Sequence, residues 1–391
     1  MLHKEAINKL SICKCTIKMK KIGIITIHKI NNYGSVLQAY ALQKACETED
    51  RTVEIIDYTF PNPFHHNNSY AEVGQTSPNE PRYIKLLYAL SLIRQHKSMA
   101  AFVARYQNLS KQCYNHPDEL LKNPPLYDAY ITGSDQLWNP RHTNGDPSFM
   151  LHFARDSAIK ISYAASIANK IPDTLKDIYK KLLSRYSHIA VRENSGVQSI
   201  KEITSKSVSV VLDPTLLLTY KQWNEIATPK RLVKQKYILC YFLNYSFNAF
   251  PYVERLAEEM RKQTGYVLVR VARPPHHLIT PHTKFLIGAS PEDFLALVRD
   301  AEMVLTTSFH GTAFAVNYGK PLFSVVESRE AVDSRQVSLL KNLGLDNQIL
   351  SIDDSLPNVI TSKYDFVREQ NKLEVLRNES KNYLKVALQN V

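Results

Sequence analysis

The chain has 391 residues, with 49 Lys plus Arg against 37 Asp plus Glu and a net charge of +12. That length exceeds one ordinary hydrophobic core, so two domains are expected, and a hydrophobic fraction of 44% excludes a disordered chain. The basic excess favours an anionic partner, but no basic run interleaved with aromatics and no zinc-finger spacing is present, which argues against nucleic acid.

Residues 1–18 lack the continuous apolar stretch of a secretion signal and read as a mobile extension. Cys13, Cys15, Cys46, Cys113 and Cys240 are scattered and form no CxxC pair, as expected of free thiols in a reducing compartment. No segment carries the ~18 apolar residues that span a bilayer. The expectation is a cytoplasmic protein, either soluble or peripheral at the inner face of the membrane.

Residues 21–27, with IGIITI at their heart, read as a buried strand. A polar loop at 28–34 leads into a helix at 35–43 with Ser35 as its N-cap, and 53–58 is the next strand. This order opens a parallel α/β domain, whose ligands sit beyond the strands' C-terminal ends. Residues 61–126 break the rhythm and read as a helical insertion. Its first part is a Pro-, Asn- and His-rich loop, and 84–109 is a basic amphipathic helix. Such a helix covers a neighbouring element or lies on a membrane.

Strands at 129–132, 159–164, 188–191 and 208–212, with a helix at 175–186, complete a first domain over 19–215. Asp213-Pro214-Thr215 breaks regular structure, and 216–235 reads as a connector. A second α/β domain covers 236–360, with strands at 237–243, 266–271, 303–306 and 321–325 and helices at 252–264, 291–300 and 311–318. Ser290 and Asp293 make a capping box. A long helix at 363–389, within a final segment 361–391, packs back on the first domain.

Four places could carry chemistry. In TTSFHGTAFA, His310 lies in a strand-to-helix turn, where backbone N–H groups attract anions and an imidazole can move protons. In GSDQLWN, Asp135 presents a carboxylate and Trp138 a flat face, although a turn aspartate and a core tryptophan explain them as well. Arg192 ends a strand and could clamp a phosphate or carboxylate, or pair with Glu193. Arg270 and Arg273 end another strand. His276, His277 and His282 after them lack ligand spacing, so no metal is expected.

GSDQLWN, SYAASIAN, AVREN, VLDPTLLL, SPEDF and TTSFHGTAFA, in this order, resemble the polysaccharide pyruvyl transferase family. The resemblance runs from about residue 19 to about residue 350. It implies two Rossmann-like domains facing across a cleft, as in GT-B glycosyltransferases. It also implies transfer of the enolpyruvyl group of phosphoenolpyruvate to a hexose, often lipid-linked, with no further cofactor. His310 would then be the acid–base residue and Asp135 would orient or deprotonate the acceptor. Arg192, with donors at Gly311 and Thr312, would grip phosphoenolpyruvate, while Asn32, Tyr33 and Gly34 would line the cleft. Well-studied sequences resembling this family carry an arginine where this chain has Ser308, two residues before His310, and the S-F-H-G form also occurs in sequences resembling the family. Arg270, Arg273 or Lys320 could replace that cation. A nucleotide-sugar glycosyltransferase and a non-catalytic member of a polysaccharide assembly complex are the alternatives.

Overall fold

The computed structural model describes residues 19–59, 82–168, 170–243, 247–271, 282–330, 335–358 and 365–391. The extension at 1–18, the loop at 61–81, and Arg273, His276 and His277 lie outside the described residues.

The first sheet contains β1 (Lys20–Ile25), β2 (Arg51–Tyr58), β3 (Leu109–Tyr114), β4 (Ala129–Thr132) and β5 (Ile159–Ser162). They run parallel in the order β3-β2-β1-β4-β5. A parallel pair, β6 (Ile189–Val191) and β7 (Val208–Val210), continues it beyond β5 through a bridge between Ile161 and His188. The second sheet has β8 (Tyr237–Tyr241), β9 (Val267–Arg270), β10 (Thr283–Phe285), β11 (Met303–Thr306), β12 (Leu322–Val326) and β13 (Ile349–Ser351). Its order is β10-β9-β8-β11-β12-β13, again all parallel. β4, β8 and β12 are buried along their whole length. Helices cover both faces of such a sheet, which is why its central strands read as unbroken apolar runs.

In chain order the helices are α1 (Tyr33–Cys46), α2 (Arg82–Tyr106), α3 (Pro117–Lys122), α4 (Pro140–Thr143), α5 (Asp173–Leu183), α6 (Asn194–Lys201) and α7 (Tyr220–Ile226). They continue with α8 (Phe250–Thr264), α9 (Pro291–Asp300), α10 (Phe309–Asn317), α11 (Arg335–Leu343) and α12 (Phe366–Ala387). The Ser290–Asp293 capping box opens α9. The differences from the sequence reading include the following three. Asn32, not Ser35, caps α1, because its Oδ1 accepts from the N–H groups of Gly34 and Ser35. β3 is an edge strand inside what reads as a helical insertion; only two of its residues are buried, so it shows no apolar run. The connector contains α7, whose Trp223 is buried.

The largest hydrophobic core belongs to both domains. It joins Tyr33 and Tyr40 of α1 and Phe102 of α2 to Tyr241 of β8, Phe294 of α9 and Phe314 of α10. α12 fastens the same junction from outside. Its Leu373 enters the shared core, and Leu384 and Ala387 pack under the first sheet. Its Arg377 donates to the Leu216 carbonyl and to Asn317 Oδ1.

Each sheet reverses its order once, between β1 and β4 and between β8 and β11. In parallel α/β sheets the crevice at such a reversal is where ligands bind. The segments that follow β1, β4 and β11 carry Asn32, Asp135 and, at the start of α10, His310, so three separate motifs arrive at these two crevices.

Candidate functional site

β11 ends at Thr306, and Ser308 caps α10. The Ser308 Oγ accepts from Gly311 N at 3.4 Å, and its carbonyl accepts from both the N–H and the hydroxyl of Thr312 at 3.0 Å. Those two N–H groups, expected to grip an anion, are engaged within the turn itself. Gly311 is needed for a close approach, since a Cβ there would lie 2.3 Å from Thr306 Oγ1. Ser308 is a buried cap rather than a group facing the cleft. This cap sets the second residue of α10, His310, against the first domain, where Gly34 touches its ring.

Arg192 follows β6 and is buried. Its Nη1 donates to Asp213 Oδ2 at 2.8 Å, Nη2 lies 3.5 Å from Asp135 Oδ1, and the guanidinium sits 4.5 Å from the Phe309 ring centroid. A surface pair with Glu193 is therefore excluded. Glu193 turns the other way, and its Oε1 accepts from Ser166 Oγ and from the N–H groups of Ile167 and Ala168. Asp213 is the hub. Oδ1 accepts from the N–H and hydroxyl of Thr215, Oδ2 also accepts from Ser134 Oγ at 3.0 Å, and His310 Nε2 stands 3.7 Å from Oδ2.

Asp135 accepts from Ser35 Oγ at 2.9 Å and from Gln136 N at 2.9 Å. Its φ of 83° is strained for a residue with a side chain, and such strain gathers at ligand sites.

Electrostatics follow from this packing. Burial pushes the Asp213 carboxyl up, but His310, Arg192 and the Thr215 N–H outweigh it and hold it far below the usual carboxylate range. Burial is likewise outweighed at Asp135, where Arg192, His310, Arg335 and the Ser35 hydroxyl bring the pKa down to about 2. At Glu193 burial wins over Arg192 and Arg335, and the carboxyl is raised.

Four buried atoms of this cluster have no hydrogen-bond partner: Arg192 Nε and Nη2, His310 Nε2 and Glu193 Oε2. An unpartnered buried polar atom costs about 1–3 kcal/mol, and a bound polar ligand is one thing that relieves it. A pocket of about 300 Å³ adjoins Arg192, and it is lined as well by Asp213, Phe309, Arg335, Asn342 and Glu379 among others. It is closed by α11 and α12, so the C-terminal helix forms part of its wall. With the Gln136 amide oriented to satisfy both its neighbours, the Gln136 oxygen accepts from Arg335 Nη1 and Nη2 at 3.0 and 3.1 Å. His142, lowered to about 4 by burial and then by Arg335, feels the same charge.

The structure thus brings together His310, Asp135, Arg192 and Gly34. It places other expected residues elsewhere. Tyr33 does not line an open cleft: its ring stacks on Phe294 at 4.7 Å and its hydroxyl donates to the Ala289 carbonyl, wedging the domains together. Asn32 is occupied as the α1 cap. Arg270 pairs in register with Cys240, so strand alternation turns it to the sheet face covered by α8, away from α10, where it lies over Phe242. Lys320 stands at the far end of α10. Trp138 is a core residue whose Nε1 donates to the Phe149 carbonyl.

Sequence reasoning missed Asp213, Ser134, Glu193 and Arg335. A signal existed for Asp213, since an acid capping a turn directly after a strand has its carboxylate held inward. Arg335 belongs to no motif and reaches the site only through folding.

A family model described as polysaccharide pyruvyl transferase matches residues 32–329, most of the chain. The chain belongs to the polysaccharide pyruvyl transferase family. The matched span takes in Gly34, Asp135, Arg192, Asp213 and His310 of this pyruvyl transferase family member and stops short of Arg335. No curated protein matches it. Among solved structures it is similar to a UDP-N-acetylglucosamine 2-epimerase from Rickettsia bellii, at 12% identity and a TM-score of 0.52, covering 95% of this chain and 99% of that one. A UDP-GlcNAc 2-epimerase from Methanocaldococcus jannaschii gives 11% identity, a TM-score of 0.48, and 92% and 93% coverage. The calicheamicin glycosyltransferase CalG4 gives 14%, 0.45, and 96% and 99%. The first of these likenesses, at its identity, shows the fold alone, a GT-B arrangement of two Rossmann-like domains.

Proposed function

We propose that this pyruvyl transferase family member moves the enolpyruvyl carbons of phosphoenolpyruvate onto two hydroxyls of a hexose in a polysaccharide precursor. The products are a cyclic pyruvate ketal and phosphate. One observation carries this reading: Arg192, with two buried nitrogens lacking a hydrogen-bond partner, lines a pocket together with a second arginine, Arg335, and with Asp213, the carboxylate that His310 approaches to 3.7 Å. A donor with a phosphate and a carboxylate needs such cations, and its chemistry needs an acid.

In the proposed reaction His310 delivers a proton to the methylene carbon of the donor, leaving an oxocarbenium-like carbon beside the carboxylate. One sugar hydroxyl attacks that carbon. The bond to the phosphate oxygen breaks, and the second hydroxyl closes the ring. Of the two hydroxyl protons, one is balanced by the new methyl group and the other by the departing phosphate. Asp213 steadies the charged imidazole, and Asp135 orients the acceptor hydroxyl. Arg192 and Arg335 hold the donor's anions, and Arg335 supplies the cation that Ser308 does not.

The test mixes the full chain with phosphoenolpyruvate and aryl or lipid-linked galactosides, glucosides and mannosides. Phosphate release should accompany a mass gain on the sugar equal to pyruvate less water. No turnover on any of them sinks the proposal, and turnover with a UDP-hexose instead would favour glycosyl transfer, which the fold alone supports. His310→Ala should lower turnover by about 10²–10⁴-fold while phosphoenolpyruvate still raises thermal stability.

A further inference from the structure

The Arg82–Tyr106 helix α2 has two faces of different character. Met99, Phe102 and Val103 enter the shared core, with Ser91 and Gln95 buried on the same side. The other side leaves Leu86, Leu90 and Ile93 exposed by 62%, 45% and 52%. These positions are four and three residues apart, so they form one stripe along the helix. Gly288 of the second domain lies against the stem of Arg94, and its neighbour Ile287 is 36% exposed.

Charge separates this stripe from ordinary exposed leucines. The sequence of α2 contains Arg82, Lys85, Arg94, Lys97 and Arg105 and no Asp or Glu. Arg94, His96, Lys97 and Arg105 are exposed beside the apolar row. Leucine and isoleucine flanked by cations on one face is the composition of a helix that lies in a membrane interface, with its apolar side among acyl chains and its cations at the headgroups. Long basic side chains reach from such a depth back to the headgroup level.

We propose that this face of α2 docks on an anionic lipid bilayer. Charge excludes the simplest competitor. Two copies paired through α2 would bring together two helices that each carry five basic residues and no carboxylate to answer them, in a chain already at +12. A bilayer rich in acidic lipid supplies the opposite charge and the apolar phase together. Among the described residues no helix is long and apolar enough to cross a membrane, so the contact is peripheral. The inference is independent of the donor chemistry. If the acceptor is lipid-linked, docking would hold the enzyme at its source.

Flotation with vesicles tests it, using phosphatidylcholine alone and phosphatidylcholine with about 30% phosphatidylglycerol, a fraction chosen to give a clear surface potential. The wild-type chain should bind the anionic vesicles at least ~10-fold more tightly than the neutral ones and lose that margin at about 0.5 M NaCl, where the Debye length is about half its value at physiological salt. Two variants should each lose at least ~10-fold of the binding, one carrying Leu86→Ser, Leu90→Ser and Ile93→Ser, the other Arg94→Glu and Lys97→Glu. Their side chains are exposed, so melting temperature and circular dichroism should match wild type. Absence of flotation by the wild-type chain, or undiminished flotation by either folded variant, overturns the proposal. So does a wild-type dimer in size-exclusion chromatography that the serine variant converts to a monomer without any vesicle binding, which would assign the face to a second copy.

Discussion

Gly34 of α1 and His310 of α10 touch across the domain boundary, so closely that a Cβ at position 34 would stand 2.0 Å from His310 Nδ1. Gly34 lies in a helix, so glycine is required here by proximity and not by an unusual φ. A methyl group must displace the imidazole or part the domains. Gly34→Ala is expected to lower turnover by about 10²-fold, as a misplacement near 1 Å does, and to cost about 1–3 kcal/mol through overpacking. Phosphate release and thermal unfolding measure the two effects. Wild-type turnover in a folded Gly34→Ala chain would show that His310 has room to move and that its position is not set by the first domain.

Two depressed carboxylates predict the acid limb of stability. The folded pKa of Asp135, about 2, lies below its unfolded value of 3.8, and Asp213 is depressed further. A group of this kind contributes stability that is fully present above the unfolded pKa and lost as pH falls through the folded one. Unfolding free energy from urea titrations should therefore hold steady down to about pH 5 and fall steeply between about pH 4 and pH 2. Asp213→Asn leaves Arg192 buried without its main partner and should cost about 3–5 kcal/mol at neutral pH, while its acid limb becomes shallower. An unchanged acid limb in that variant would mean other carboxylates set it.

Much of the fold was legible in the sequence because the central strands are buried on both faces and announce themselves as apolar runs. β3 shows no apolar run because an edge strand needs few apolar residues, and the start of α1 is ambiguous in sequence because Asn32 and Ser35 are both good caps and only the folded chain decides between them. At the site, motif reading found the residues that leave strand ends: Asp135, Arg192 and His310. It did not find what holds them. Asp213 receives hydrogen bonds from Ser134, Arg192 and Thr215, contacts that join three loops far apart in the chain. Arg270 misled for a related reason. Being at the end of a strand fixes how far along the sheet a side chain sits, whereas the parity of the strand fixes which face it serves.

Ser308 can now be given a role that differs from the arginine it replaces. It caps the helix that carries His310. Ser308→Ala should cost about 1 kcal/mol of stability, the usual value for losing an N-cap, and leave KM for phosphoenolpyruvate near wild type. A KM raised more than ~10-fold in a variant that melts normally would instead make the hydroxyl a direct ligand, since capping alone does not act on binding at that scale.

Arg335 is the sharper probe of the anion seat. Arg192→Ala would strip Asp213 of its buried counter-charge, so lost folding would obscure lost binding. Arg335 lines the pocket from the start of α11 and hydrogen-bonds Gln136, and at Asp135 and Glu193 its charge ranks behind that of Arg192, so its removal leaves both carboxylates with their main counter-charge. If it holds one anion of the donor in ground state and transition state alike, Arg335→Ala should raise KM for phosphoenolpyruvate by about 10- to 100-fold with kcat changed far less. Arg335→Lys should recover part of the affinity, because it keeps the charge but not the forked geometry. A wall residue with no ligand would show neither the split between KM and kcat nor the partial rescue. Steady-state kinetics on the three proteins, with melting temperatures to confirm folding, distinguish these outcomes. An unchanged KM in folded Arg335→Ala would remove Arg335 from the proposed donor site and leave no replacement for the arginine absent at position 308.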